Sequence, residues 1–227
     1  MQDRLQITEH DTTAIPGFGQ AGPPAIARPR MSPWKRLVWL LTIFALQMLY
    51  FPINRLMEGG IAPSTPMDDW IPVWPIWVVP YLLSLLWWTG AFAWAAWKME
   101  AKLYRALATG IIAVMLFSYA VYIFCPTYVD RPPLEKEGWA ADLLRLVYSN
   151  DRDNNALPSG HTYTTMIISL FWWRWRPRQR WLWAGIAVIV LLSTLFTGQH
   201  YLLDVVAGIL VAWAGYRFGL VWAGRRS

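Results

Sequence analysis

The chain has 227 residues, a formal net charge of +6 and a hydrophobic share of 56% gathered into long runs. Those runs exclude an ordinary soluble domain, because several reach the roughly 20 apolar residues that a helix needs to cross a hydrocarbon core of about 30 Å. The positive charge does not read as a nucleic-acid surface, since Lys and Arg sit in short clusters at the ends of the runs, and the single cysteine, Cys125, excludes an intrachain disulfide and a multi-cysteine metal site.

Residues 1–33 are polar, rich in Gly, Pro and Ala, and lack a periodic apolar face. They are expected to form a disordered cytoplasmic tail, with His10 a solvated side chain. No apolar core followed by a small-residue cleavage site precedes residue 34, so the first span is expected to act as the targeting signal and the tail to stay attached.

From residue 34 to 227 the pattern predicts an all-α integral membrane domain, six transmembrane helices in a single bundle. The spans fall at about 36–54, 72–97, 104–125, 158–174, 180–198 and 201–220. Pro72, Pro75 and Pro80 predict a bent or late start for the second span. The fourth is short, with Arg174 placed to snorkel at its end. Trp34, Trp39, Trp70, Trp97, Trp181 and Trp222 bracket the runs as interface anchors.

Lys35 and Arg36, Lys98 to Arg105, Arg174 to Arg180, and Arg225 and Arg226 all fall on one side if the tail is cytoplasmic. The positive-inside rule then places both termini in the cytoplasm and the loops 55–71 and 126–157 outside. The small size favours a bacterial inner membrane, with those loops periplasmic. Matching broken segments in the two halves, the mark of many transporters, are not evident.

Two histidines stand at outer helix ends: His161 opens span four and His200 opens span six. Asp204 follows His200 by four residues, one turn along the same helix face, where a carboxylate can orient an imidazole. Ionisable groups inside an apolar span are expensive and generally face a cavity, which marks Asp204 as functional. Around His161 the order Pro158-Ser159-Gly160-His161 gives a polar turn before a helix start, where exposed N–H groups and the helix dipole favour an anion. Arg131, just beyond span three, adds a guanidinium able to grip phosphate oxygens. Asp151 and Asn155 are candidates for supporting roles.

Asp130-Arg131-Pro132-Pro133, then Pro158 to Thr162, then His200 to Asp204 resemble, in that order, the motifs of the type 2 phosphatidic acid phosphatase superfamily, which also contains vanadium haloperoxidases. The family pattern is Lys, six residues, Arg-Pro; then Pro-Ser-Gly-His; then Ser-Arg, five residues, His, three residues, Asp. The resemblance covers about residues 34–220. It implies that His200 is a nucleophile forming a phosphohistidine, that Asp204 orients it, and that His161 protonates the leaving oxygen. Arg131, Ser159 and Gly160 would hold the phosphate, with no metal and no cofactor.

Two positions depart from the pattern: Phe124 stands where the family has Lys, and Thr194 where it has Arg. A phosphomonoester carries about −1.5 to −2 charge at neutral pH, a diester only one, so fewer cations suit a diester. Thr197 to Tyr201 and Asp68 to Pro72 further resemble the inositol phosphorylceramide synthase-like and sphingomyelin synthase-like branch. The expected function is a membrane lipid phosphate-ester hydrolase, with head-group transfer to a lipid acceptor as the alternative. A transporter using His161, His200 and Asp204 as a proton relay is the alternative of another class.

Overall fold

The computed structural model describes residues 31–225, so the expected tail over 1–33, His10 included, lies outside the described residues except for its last three. The described residues form seven α-helices: α1 Pro33–Leu56, α2 Val78–Lys98, α3 Ala101–Phe124, α4 Trp139–Asn150, α5 Gly160–Trp175, α6 Arg180–Phe196 and α7 Leu202–Arg225. Five stretches are long and apolar enough to cross a membrane: Pro33–Leu56, Pro75–Lys98, Ala101–Phe124, Pro177–Phe196 and Leu202–Arg225. The chain is therefore an integral membrane protein.

The count of six spans meets a physical limit at α5. Its 16 residues rise about 24 Å at 1.5 Å each, short of a hydrocarbon core of about 30 Å. It is nevertheless the most enclosed helix of the bundle, with nine consecutive-turn residues between Thr162 and Trp172 buried, and it packs against α2, α3, α6 and α7. The late start of the second span is as expected: a 3-10 turn over Pro75–Trp77 precedes α2, whose regular bonding begins at Val78. Helix α4 was not foreseen within the loop 126–157. It is short and amphipathic, burying Ala141 and Leu144 while exposing Trp139 and Leu146.

Helices α3 and α7 form the closest pair. At Gly219 a Cβ would run into the Ala106 carbonyl, so the two backbones touch where small residues permit it. Outward faces carry Phe44, Leu86, Val188 and Leu210, and the exposed Trp70, Trp97 and Trp181 lie at helix ends as interface anchors do.

The two ends of the bundle are fastened differently. At one, Arg36 donates to the Ala96 carbonyl at 2.9 Å and Tyr104 Oη–H to the Arg36 carbonyl at 2.9 Å, gathering the start of α1, the end of α2 and the start of α3. At the other, Asn54 Nδ2 donates to the carbonyls of Arg152 and Asn154 at 3.3 and 3.0 Å, and its Oδ1 accepts from Arg152 N–H. Tyr122 Oη–H donates to the Pro158 carbonyl at 2.6 Å. These bonds hold the segment 151–159 down on α1 and α3, at the end where both candidate histidines stand.

Candidate active site

The position of His200 is set by how α6 stops. Gly198 takes φ +63°, the left-handed conformation that glycine adopts freely. Its N–H bonds the Leu195 carbonyl at 2.9 Å while Gln199 N–H bonds the Thr194 carbonyl at 3.1 Å, the paired bonds of a Schellman ending. His200 N–H shares the same Thr194 carbonyl at 3.2 Å, and Tyr148 Oη–H donates to the Thr197 carbonyl. The imidazole is thus delivered on a backbone that the helix end has already fixed.

Asp204 lies in the first turn of α7 and is completely buried. Its Oδ2 accepts from Tyr201 N–H at 2.8 Å and stands 3.4 Å from His200 Nδ1, without the alignment of a hydrogen bond. The start of α7 is capped a second time by Asp68, whose Oδ1 accepts from Leu202 N–H at 2.8 Å and whose Oδ2 accepts from Thr65. The Asp68 loop thereby locks onto the helix that carries Asp204.

The Pro158 to His161 turn reaches the same place. Ser159 N–H donates to the Asp204 carbonyl at 3.0 Å, and Ser159 Oγ accepts from Thr162 N–H at 3.3 Å as the cap of α5. Close approach is possible because Gly208 of α7 faces Thr162: a Cβ there would sit 2.8 Å from Thr162 Cβ. His161 stacks on Tyr81 at 4.0 Å and lies 4.8 Å from the Trp88 ring, and its Nε2 is buried without a hydrogen-bond partner. The two imidazoles are near enough for the charge of one to act on the other.

Arg131 is brought to this cluster but is largely engaged. Its terminal nitrogens donate to the carbonyls of Asp151 at 2.7 Å, Arg152 at 3.1 Å and Tyr148 at 3.5 Å, and to Gln199 Oε1. Only Nε is left buried and unpartnered, and the guanidinium lies over the Tyr148 ring at 4.7 Å. The free fork expected from the sequence is thus tied into the walls of the site, next to His200. Phe124 is 81% exposed at the end of α3, and Thr194 is fully buried with its hydroxyl on the Leu191 carbonyl, so neither supplies a cation.

Asp151 joins the cluster from the other side. It accepts from Tyr50 Oη–H at 2.9 Å and from Tyr81 Oη–H at 3.4 Å, the same Tyr81 that stacks on His161. Burial holds its carboxyl above the usual carboxylate range, opposed by the Tyr50 hydrogen bond and by the nearby Arg131 and His200. Asn155 is buried at φ +61°, with both amide atoms unpartnered among the described residues. Tyr50, Tyr81 and Tyr148 carry no sequence signal of their own, since such a hydroxyl looks like that of any packed tyrosine, whereas Gln199 had one through the Thr197 to Tyr201 likeness. Asp68 had one, through the Asp68 to Pro72 likeness. Among the described residues no group of three or more His, Cys, Asp or Glu could hold a metal ion.

Two histidines, a carboxylate beside one of them and an arginine thus meet at one end of the bundle of this all-α membrane protein. The family model of the PAP2 superfamily matches residues 104–227, which include Arg131, Ser159, Gly160, His161, His200 and Asp204. The chain belongs to the PAP2 superfamily, and membership points to phosphatase or phosphotransferase chemistry on phosphate esters. It is also similar to an uncharacterized protein of Methanocaldococcus jannaschii, 28% identical over 105 residues, which are 45% of this chain. The match spans 42% of that relative's length. No solved structure matches the chain.

Proposed function

We propose that the chain is a lipid phosphate-ester hydrolase that acts through a phosphohistidine on His200, at the outer face of the membrane. The observation that carries the reading is the meeting of His200, Asp204 and the Ser159 turn, where the Asp204 carbonyl takes the Ser159 N–H and its carboxylate faces His200 Nδ1. In this scheme Asp204 favours the proton on Nδ1, so that Nε2 attacks phosphorus. The phosphorus–oxygen ester bond breaks, and His161 gives its proton to the departing alkoxide. Water then attacks the phosphohistidine, returning its proton to His161 as the phosphorus–nitrogen bond breaks. No step calls for a metal.

Arg131 contributes charge and its remaining Nε–H, while Ser159 and Gly160 contribute the start of α5 and its dipole. In the proposed topology α5 is the sixth crossing, thinned at its ends, and both termini are cytoplasmic in a bacterial inner membrane. Loss of the cations at 124 and 194 supports a second reading, a diester substrate whose head group passes to the hydroxyl of a lipid acceptor instead of to water.

The test is incubation of the purified chain with a panel of phosphomonoester and phosphodiester lipids, with and without diacylglycerol and ceramide, read by mass spectrometry. Hydrolysis releases diacylglycerol with phosphate or a phosphorylated head group, and transfer yields a new head-grouped lipid. His200→Ala and His161→Ala each abolish turnover in this scheme. Near-normal activity in the His200 variant refutes it.

A further inference from the structure

Most of the buried side-chain nitrogens and oxygens that lack a hydrogen-bond partner among the described residues belong to the cluster around the two histidines, Gln199 Nε2 and Arg131 Nε among them. Buried polar groups are nearly always paired, so a concentration of orphans marks a place that a ligand completes.

Gln199 is the most informative of these groups. It is only 4% exposed and stands one residue before His200. Its backbone is fixed by donation to the Thr194 carbonyl at 3.1 Å, and its tip by Arg131 Nη2, which donates to Oε1. A guanidinium carries donors only, so the amide can meet it in one sense alone, with its oxygen on Arg131 and its NH2 turned elsewhere. That NH2 is a buried donor without an acceptor. Arg131 and His200 both act on the Asp151 carboxyl, which puts guanidinium and imidazole around one space. An amide held at both ends beside the attacking imidazole meets the requirement for stabilising a transition state, since its donors are in position before charge develops.

We infer that Gln199 is a further catalytic residue, whose Nε2–H grips a phosphoryl oxygen while His200 attacks. The inference rests on His200 being the group that attacks phosphorus. It also gives the departure at 194 a counterpart. The Thr194 hydroxyl is turned onto the Leu191 carbonyl, while the Thr194 carbonyl holds Gln199, so a neutral donor is supplied where the family pattern has a cation nearby.

A residue that merely tethers Arg131 would behave differently, and Gln199→Glu separates the two roles. The carboxylate has nearly the same shape and keeps the Arg131 contact, now as an ion pair, but it replaces the NH2 by an oxygen that repels a phosphoryl group. Gln199→Ala loses tether and donor together. Both variants are checked for folding by thermal unfolding in detergent, and kcat and KM are measured on the lipid of the panel that the native chain turns over fastest. Loss of a donor of this kind costs about 10²–10³-fold in kcat. Gln199→Glu should lose at least that much, fall below Gln199→Ala, and bind inorganic vanadate at least about tenfold more weakly than the native chain by calorimetry. Turnover of Gln199→Glu at or above that of Gln199→Ala, or unchanged vanadate binding, overturns the role of Gln199 and leaves the phosphohistidine scheme standing. Turnover that survives His200→Ala overturns that scheme itself, whatever the Gln199 variants do.

Discussion

Replacing Gly208 by alanine tests whether the α5–α7 contact is what assembles the site. The added Cβ would stand 2.8 and 2.9 Å from Thr162 Cβ and Cγ2, and 3.1 Å from the Ser159 carbonyl oxygen. Carbon atoms rest at about 3.5–4.0 Å, so the helices must separate locally by roughly 0.7–1 Å. Thr162 is fully buried and the Ser159 carbonyl is backbone, so neither can swing aside cheaply. Overpacking of this kind costs about 1–3 kcal/mol. The separation falls on the Ser159 N–H to Asp204 carbonyl bond of 3.0 Å, which joins the two histidine-bearing segments. A misplacement of about 1 Å between reacting groups is worth roughly 10²-fold in rate.

Gly219→Ala is the control. It collides with the Ala106 carbonyl on the α3–α7 seam, far along α7 from His200, and should lower stability with a much smaller loss of rate per unit of stability. Turnover measured below the unfolding midpoint of each variant, together with thermal unfolding in detergent, separates the two effects. If Gly208→Ala keeps full turnover, or if both variants lose rate in proportion to stability alone, the close contact is not what positions the histidines.

Asp204→Asn should lower kcat by roughly 10³-fold with little change in KM, because the amide no longer holds the proton on Nδ1; a loss confined to KM counts against the orienting role. Asp151 is held above the usual carboxylate range by burial, so the folded chain retains a proton that the unfolded chain has lost, and stability falls as pH rises through the folded value. Asp151→Asn should flatten that slope when unfolding midpoints are compared from about pH 4 to pH 7, and parallel curves for the two proteins would dispose of the argument. Asp68→Ala removes a cap from α7 and should cost about 1 kcal/mol, or about 2–4 °C in the unfolding midpoint. An unshifted midpoint means that the cap bond contributes nothing.

The spans were legible because bilayer thickness writes itself into run length, and five of them need nothing beyond hydropathy to find. Helix α5 was the hard case: it buries the polar Thr162, Thr164, Thr165 and Ser169, so its length and composition understate how deeply it sits. Helix α4 escaped because its apolar residues alternate with Asp142, Arg145 and Ser149 over only three turns, a pattern that a loop can also show. Within the site, the spacing of His200 and Asp204 pointed to the pair, but His200 stands on the turn that ends α6 and only Asp204 on α7, so the two meet across that turn rather than along one helix face. Arg131 was located, yet its engagement with three carbonyls and Gln199 depends on a fold of the 148–152 segment that no local pattern announces. The Tyr50 and Tyr81 bonds to Asp151 join residues 101 and 70 positions apart, and such pairings exist only once the helices are packed.

The ending of α6 separates two things that a single position might have tied together. The Thr194 carbonyl anchors Gln199 and His200, and every amino acid has a carbonyl, so these two bonds do not depend on the side chain at 194. That side chain is where the family pattern has its arginine. Drift at this codon can therefore alter how much negative charge the site tolerates while the imidazole stays where it is, which lets a lineage change its substrate without rebuilding its catalyst.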